Sequence, residues 1–403
     1  MFYKLMLLIC ALLSILNLCG CKKGEPTKEV VKVFAPTWFL PEEDAGVAHS
    51  LSVFNREFPD ARVEFIAAAG RWEQILQKLV LMCSGGQIPD VIWFRPEWIE
   101  VVIEKCVAPM DGADLSNYFS RLVESITHSG KVYGIPYEVG VRVVWLRSDI
   151  LKATGVALPD KAWTVEDFLD VLLKLQNYGG KGSFRYAFAF PAADDVRSAY
   201  QALALVASFG GDLSDLKSEQ TKRATEDIFK FYRTIVDRGF APREIYQSTQ
   251  GLVYSGLREK WYAAALGGSW ELKGCKDVGL EVFPVLPPVV ENSQTPATYA
   301  DIWAVGLSPV GASKKSAQRL VDILTSKESQ LARVENGLLS ARRDVYSSQP
   351  HWLFFMEHAQ TLRISEESLK FLESFAHAIH LVTKGDWTEE QAMEYVFGAA
   401  SNK

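Results

Sequence analysis

Through residues 30–94, segments with the apolar spacing of strands alternate with segments that have the apolar spacing of helices. Segments such as VVKVFAP and ARVEFI read as strands, because they are β-branched and apolar or alternate between apolar and polar positions. Between them, apolar side chains recur at helical spacing, and these runs stop before Pro59 and at Gly85. The pattern predicts strands over 30–36, 61–66 and 89–94, and helices over 43–58 and 71–83. Strands and helices in this order indicate a parallel sheet with right-handed crossovers.

The same rhythm resumes after a hairpin-like segment. Thr164 is expected to cap a helix that ends at the paired glycines 179 and 180, and Thr388 with Gln391 predicts the start of the last helix. The remaining elements are expected to be a hairpin-like turn at 130–137, strands at 141–146, 263–266 and 302–307, a proline-rich extended segment at 282–290, helices at 198–209, 221–238, 313–325 and 327–336, and a wholly helical C-terminus.

The N-terminus predicts export and lipid anchoring. Lys4 precedes an apolar run that ends at Leu18, and this run is shorter than the ~20 residues that span a membrane. The run closes in Leu-Cys-Gly-Cys, which resembles the lipobox of bacterial lipoproteins. The resemblance implies a signal peptide over 1–20, a diacyl group on Cys21 and a polar tether over 21–29.

Composition narrows the class of protein. The chain beyond residue 20 is too long for one ordinary core, so about two domains are expected. A formal charge of −6 argues against a nucleic-acid partner, which would require a basic surface. The later cysteines, Cys83, Cys106 and Cys275, are odd in number and widely spaced, so they are expected to be buried free thiols.

Five short motifs, in order, carry a family resemblance. They are GQIPDV at 86–91, GKVYGIPY at 130–137, WLRSD at 145–149 followed by WTVED at 163–167, AAALGGSW at 263–270, and GLLSAR at 337–342. Together they resemble the extracellular solute-binding proteins of carbohydrate-type ABC importers, a group that includes maltose-binding protein. The third motif lacks the family's Tyr-Asn, and the last motif lacks its proline.

The resemblance implies an α/β, two-lobed periplasmic-binding-protein fold of type II, in which helices flank a sheet in each lobe and the chain crosses between lobes several times. The expected lobes are 30–138 with 302–342, and 139–301 with 343–403. The implied partners are a small solute, with a sugar as the leading class, the transmembrane subunits of an ABC permease, and a membrane reached through the lipid anchor. A monomer without cofactor, metal ion or catalytic residues is expected.

The cleft between such lobes is where a ligand is expected, at strand ends and helix N-termini. Aromatic and charged residues near the expected crossings form the candidate site: Trp38, Glu97, Trp98, Tyr137, Glu138, Trp270, Tyr299, Asp301, Trp303 and Arg342. Flat rings suit the C–H faces of a sugar, and buried carboxylates or guanidinium groups suit its hydroxyls.

Some residues near the expected cleft also have a structural interpretation. Asp301 fits a buried salt bridge as well as a ligand contact. Arg71 and Trp72, which are not in the candidate set, fit an ordinary first helical turn. The helix near Leu372 and Phe375 lacks the stacking Trp of maltose-type members, which disfavours a long oligosaccharide.

Other functions are kept as alternatives. The runner-up ligand is glycerol 3-phosphate or a glycerophosphodiester, and the other classes are a lipid-anchored hydrolase and a surface adhesin. Ser269 lies outside a Gly-x-Ser-x-Gly elbow, and the helical face of Glu373, His377 and His380 has no further metal ligand near it in sequence.

Overall fold

The computed structural model describes residues 28–398, apart from 103–104, 159–161, 180–181 and 363–364. The predicted signal peptide and Cys21 therefore lie outside the described residues. The described strands are β1 (Glu29–Pro36), β2 (Ala61–Ala68), β3 (Val91–Phe94), β4 (Thr127–His128), β5 (Lys131–Val132), β6 (Ile135–Arg147), β7 (Tyr186–Ala189), β8 (Tyr262–Gly268), β9 (Val282–Val285), β10 (Thr298–Leu307) and β11 (Ala359–Gln360).

Helices separate most of these strands. They are α1 (Ala45–Glu57), α2 (Trp72–Ser84), α3 (Ile99–Val102), α4 (Ser120–Ser125), α5 (Ser148–Thr154), α6 (Val165–Gly179), α7 (Val196–Ser208), α8 (Glu219–Asp237), α9 (Gln250–Arg258), α10 (Glu271–Asp277), α11 (Lys315–Leu324), α12 (Lys327–Glu335), α13 (Pro350–Glu357), α14 (Glu366–Lys384) and α15 (Glu389–Phe397). Within the described residues, none of them combines the length and apolar character needed to cross a bilayer.

The larger sheet of the described chain has the order β2-β1-β3-β10-β6-β8-β7. β1 pairs in parallel with β2 and β3, as the alternating pattern predicted, and β7 pairs in parallel with β8. The first two of these three parallel pairings lie at one end of the sheet and the third at the other, and antiparallel pairings join the two ends.

β6 and β10 form that connection. The first part of β6 pairs with β10, with Gly140 opposite Asp301 and Glu138 opposite Trp303. The second part pairs with β8 and β9. β6 is thus one long central strand that joins the two halves of the sheet, where the sequence pattern indicated a hairpin and a separate strand at 141–146.

Helices pack along both ends of this sheet and close the core. α1 packs against α11 and α12, while α14 packs against α7, α8 and α15. The Asp44 side chain caps α1 by accepting hydrogen bonds from the backbone of Gly46 and Val47. Trp93 and Trp145 are among the fully buried side chains, so much of the tryptophan content serves the core.

The cysteine prediction was wrong for two of three residues. Cys83, at the end of α2, and Cys106, shortly after α3, form a disulfide with a Cα–Cα distance of 5.6 Å. Cys275 is free and buried, as expected. Spacing alone did not reveal the pair, because the fold brings the end of one helix next to the turn that follows another.

Shorter elements also depart from the sequence pattern. α5, α9 and α10 were not predicted, since each spans fewer than three turns and gives a weak periodic signal. The C-terminal part, expected to be wholly helical, contains the two-residue strand β11, which pairs with Thr298 and Tyr299.

Candidate functional site

A cavity of about 370 Å³ opens above the middle of the sheet. The residues that surround it come from the ends of β1, β2 and β8, from β6 and β10, from the first turns of α2, α7, α9 and α10, and from α12 and the segment after it. They are Trp38, Glu43, Gly70, Arg71, Trp72, Glu73, Glu138, Val196, Arg197, Gln250, Trp270, Lys273, Asp301, Trp303, Arg333 and Leu338. Both sequence-predicted lobes contribute to this wall.

Four tryptophans form the flat surfaces of the cavity. Trp303 is central, with its ring edge-on to Trp38 at 5.5 Å and to Trp98 at 5.3 Å between centroids. Trp72 carries the Arg95 guanidinium 3.7 Å from its centroid and meets the Tyr200 ring at 4.7 Å. These contacts fix the ring planes before a ligand arrives.

A buried chain of charges forms one part of the floor. Asp301 receives hydrogen bonds from Arg142, at 2.6 and 3.2 Å, and from Arg95 at 3.1 Å. Arg95 also donates to both carboxylate oxygens of Glu97. Burial opposes the ionisation of Asp301, but the two guanidinium groups outweigh it and hold its pKa below the usual range.

A second buried cluster lies beside the first. Arg333, on α12, contacts Glu138 of β6 and lies 3.3 Å from Asp44. Burial raises the pKa of Glu138 to about 7, against the opposing attraction of Arg333. Two carboxylates thus share one guanidinium, and Glu138 is the carboxylate of the pair that lines the cavity.

The rim carries further charges of both signs. Arg197 binds Asp195 through both carboxylate oxygens. Lys273 lies 3.0 Å from Asp277 and 4.0 Å from Glu43. In total, four cationic and four anionic side chains line the cavity, so the lining carries no surplus of either sign when all of them are ionised.

Five of the residues proposed from sequence line this cavity: Trp38, Glu138, Trp270, Asp301 and Trp303. Their role in binding stays a prediction, but the fold brings them together from four separate stretches of chain.

Four others lie behind the wall. Trp98 supports Trp303, and Tyr137 is fully buried between Phe39 and Trp93. Tyr299 is fully buried, with the Arg142 guanidinium 4.8 Å from its ring centroid. Glu97 holds Arg95 and faces a different cavity. Successive residues of a strand point to opposite faces of the sheet, which explains why Glu138 lines the cavity and Tyr137 does not.

Arg342 lies away from the cavity. Its guanidinium forms two hydrogen bonds to Asp344, at 2.8 and 2.9 Å, and one to the Thr325 carbonyl oxygen. These contacts link the segment after α12 to the turn before it, and Arg342 is not among the residues that line the cavity.

Sequence reasoning missed several lining residues. Arg71 and Trp72 were interpreted as an ordinary helix start, although their place directly after β2 was a signal for a ligand-facing turn. Arg197, Gln250, Lys273 and Arg333 gave no local signal, because only tertiary packing brings their helices to the cavity.

A larger cavity of about 990 Å³ lies elsewhere on the molecule. It is open and lined mostly by polar side chains, among them Glu97, Arg121, His128, Asp212 and His358. It contains none of the stacked tryptophans, and in the described residues no group of His, Cys, Asp and Glu is arranged to hold a metal ion.

The helical face suspected of resembling a metal site is explained by packing. His377 contacts Asp194 at 2.9 Å through Nδ1, and His380 contacts the Tyr246 carbonyl oxygen at 2.8 Å. Both rings are therefore held by neighbours on other segments.

Comparison with known proteins places the chain in context. The sequence profile described as "Bacterial extracellular solute-binding protein" matches residues 51–353, which is more than half of the chain. An uncharacterized lipoprotein of Streptomyces antibioticus is 29% identical over 57% of this chain and 51% of its own length. A Deinococcus radiodurans protein named "Probable ABC transporter-binding protein" is 22% identical over 60% of this chain and 59% of its own length. The chain thus spans little more than half the length of these curated relatives.

Among solved structures, maltose-bound MalE3 of T. maritima superimposes with a TM-score of 0.74 at 17% identity. The alignment covers 92% of this chain and 98% of that protein. The two proteins share the two-lobed α/β fold of periplasmic binding proteins.

Proposed function

Because the chain belongs to the family of bacterial extracellular solute-binding proteins, we propose that it captures a sugar for an ABC importer and delivers it to the membrane permease. The ligand lies in the 370 Å³ cavity between the two lobes. The D. radiodurans relative named as a transporter-binding protein and the shared fold with a maltose-bound protein support this proposal.

One observation carries the proposal, namely four indoles and equal numbers of cationic and anionic side chains in one cavity. A sugar has apolar C–H faces that stack on flat rings and hydroxyls that both donate and accept hydrogen bonds. Carboxylates and guanidinium groups held side by side satisfy both hydroxyl roles without requiring a charged ligand. The site therefore suits a neutral, polyhydroxylated solute.

The size of the cavity favours a mono- or disaccharide. Its volume is at the lower end of the roughly 300–1,000 Å³ typical of ligand pockets. Leu372 and Phe375, on α14, are fully buried and pack inside the lobe. This helix therefore adds no aromatic surface with which to extend the site for a longer oligosaccharide.

A phosphate-bearing ligand fits less well. Arg142, which would favour an anion, already donates from both terminal nitrogens, to Asp301 and to the Gly140 carbonyl oxygen. Arg342 lies outside the cavity and is held by Asp344. A glycerophosphodiester would also bring its charge close to Glu138 and Asp301.

We infer that the protein binds its ligand without converting it. Members of this family bind substrates for transport. Ser269, the serine closest in sequence to Trp270, is buried, and its Oγ accepts a hydrogen bond from the Val141 backbone amide. In this position it supports the β6–β8 pairing.

We also propose that Cys21 carries a diacyl group that holds the protein at the outer face of a membrane. The Leu-x-Gly-Cys sequence and the lipoprotein name of the S. antibioticus relative support this anchor. In cells fed a clickable fatty acid, the wild type should become labelled and Cys21→Ser should not. Equal labelling of both would contradict the proposed anchor.

Titration calorimetry of the protein, lacking residues 1–21, tests the ligand class. The panel contains glucose, maltose, trehalose, sucrose and a glycerophosphodiester. We expect one-to-one binding of at least one sugar in the micromolar range and none of the phosphodiester. Binding of the phosphodiester alone, or of nothing at millimolar concentration, would contradict the proposal.

A further inference from the structure

The Trp270 indole packs against the backbone of two strands. Trp270 follows β8 directly and forms the N-cap of α10 with helical backbone angles, so its side chain turns back over the sheet. An added Cβ on Gly268 would collide with Cη2, Cζ2 and Cζ3 of the indole. A Cβ on Gly140 of β6 would come within 2.8 Å of Cζ3. The indole therefore lies directly on the bare backbone of two strands.

Neither glycine is required by its backbone conformation. Both lie inside strands, and neither is among the described glycines with positive φ. Glycine inside a strand weakens it, and it often marks a close approach by another group. At Gly268 the group that approaches is the Trp270 ring, and at Gly140 the Asp301 carboxylate, which would lie even closer to an added Cβ, approaches together with this ring.

Hydrogen bonds to neighbouring side chains hold the Gly268 backbone in place next to the indole. The Gly268 amide donates to the Tyr254 hydroxyl at 2.7 Å, and its carbonyl oxygen accepts from Trp145 Nε1 at 3.1 Å. The fully buried Arg142 guanidinium lies 4.7 Å from the indole centroid. Because Arg142 is buried, this side of the ring faces the protein, and the partly exposed remainder lines the cavity.

We propose that Gly140 and Gly268 are specificity-determining residues, because they let the Trp270 indole lie close against the sheet and so set the depth of the cavity for a stacked sugar ring. This inference rests on the proposed function. A side chain at either position would lift the indole into the space that the ligand occupies, and the loss would be larger for a disaccharide than for a monosaccharide.

Gly268→Ala tests the proposal, with calorimetry on the same sugar panel and a thermal melt to confirm folding. We expect Kd for the best sugar to rise at least about tenfold, and the ratio of disaccharide to monosaccharide affinity to change. Gly251→Ala, on α9, is the matched control, since an added Cβ there meets nothing closer than 3.9 Å. This control should bind as the wild type does.

A double-mutant cycle distinguishes a collision with the Trp270 ring from a general disruption of the fold. Trp270→Phe replaces the indole with a smaller ring and so removes the collision with a Cβ at position 268. The Kd of the double variant should therefore lie within about threefold of the Kd of Trp270→Phe alone. This comparison also holds if Gly268→Ala alone fails to fold.

Each other outcome is decisive. The role of the glycines would be overturned if Gly268→Ala left the sugar affinities unchanged. It would also be overturned if the losses of binding free energy from the two single substitutions were additive in the double variant. Either result would leave the proposed function intact. A wild type that binds no sugar of the panel would overturn the proposed function and this inference with it.

Discussion

Buried charges around the cavity are matched by neighbours of opposite sign. Asp301 is shared by Arg95 and Arg142, and Arg333 is shared by Glu138 and Asp44. An unpaired charge at such depth would be costly, so these groups hold one another in fixed geometry. A ligand in this cavity would meet a floor that is already organised.

Trp270→Ala removes one flat wall of the cavity and leaves the sheet intact. Because stacked contact and buried apolar area are both lost, Kd for the best sugar should rise at least about tenfold in calorimetry. Trp261→Ala is the matched control, because Trp261 is partly exposed, contacts Arg185 and does not line the cavity. Equal losses in the two variants would contradict a ligand-stacking role for Trp270.

Asp301→Asn distinguishes a structural ion pair from a direct ligand contact. The substitution leaves Arg95 and Arg142 short of a buried counter-charge, so the free energy of unfolding should fall by about 3–5 kcal/mol in urea titrations. Asp277→Asn, whose partner Lys273 is near the surface, should change it by less than about 0.5 kcal/mol. A variant of wild-type stability that no longer binds sugar would instead assign Asp301 a direct ligand contact.

The buried carboxyl of Glu271 should make the free energy of unfolding depend on pH. Burial raises the pKa of this carboxyl to about 7, above the value of 4.5 that an exposed Glu has, while Arg258 opposes the shift. Between these two pH values the folded state binds more protons than the unfolded state, so its contribution to stability falls as pH rises from 4.5 to 7.

Glu271→Gln removes this contribution. Relative to wild type, the variant should gain about 2–3 kcal/mol of unfolding free energy between pH 4.5 and pH 8, measured by urea titration at both values. Glu138 remains in both proteins, so its own titration cancels in the comparison. Parallel pH profiles for the two proteins would contradict a raised pKa at Glu271.

At the scale of elements, the disulfide ties α2 to the segment after α3. α2 carries Trp72 at its start and Cys83 near its end, so the bond holds the helix whose first turn lines the cavity. The two cysteines are 23 residues apart in sequence. Closing a loop of this size restricts the unfolded chain and so stabilises the fold.

Reduction with dithiothreitol should lower the free energy of unfolding by about 3 kcal/mol. The double variant Cys83→Ala and Cys106→Ala should be similarly destabilised and should no longer respond to the reductant. Cys275→Ala, at the free thiol, should keep the full response. A wild type whose urea midpoint ignores the reductant would contradict a stabilising bond.

The elements also show what could be predicted from the sequence. Long periodic segments such as 43–58 and 221–238 match α1 and α8 closely, because a full apolar stripe outweighs local irregularity. Asp90 of the PDV motif is a structural residue, since it accepts from the Lys32 backbone amide and pairs with Lys314. The disulfide and the short helices depend on tertiary contacts, so local patterns did not predict them.

At the scale of the whole molecule, two long strands and many helix ends converge on one cavity. Residues next to expected crossings could be predicted to meet there, as with Glu138, Asp301 and Trp303. Arg333 and Lys273 could not, because only the three-dimensional placement of α12 and α10 brings them to the wall. The lobe boundaries at 138–139, 301–302 and 342–343 stay predictions.

Closure of the two lobes around the ligand is the expected motion of such a fold. Trp72 and Tyr200, whose rings are 4.7 Å apart, belong to different predicted lobes. Their contact joins α2 to α7 next to the cavity, so a ligand bound there would lie beside a contact between the two predicted lobes. Bound sugar should therefore slow backbone exchange on both sides of the gap at once.

Hydrogen–deuterium exchange with and without the best sugar of the panel tests this account most directly. We predict slower exchange in residues 37–43, 70–73 and 269–273, which surround the 370 Å³ cavity on both sides. Slower exchange confined to 96–100 and 294–297, at the 990 Å³ cavity, would contradict it, as would sugar binding that changes none of these segments.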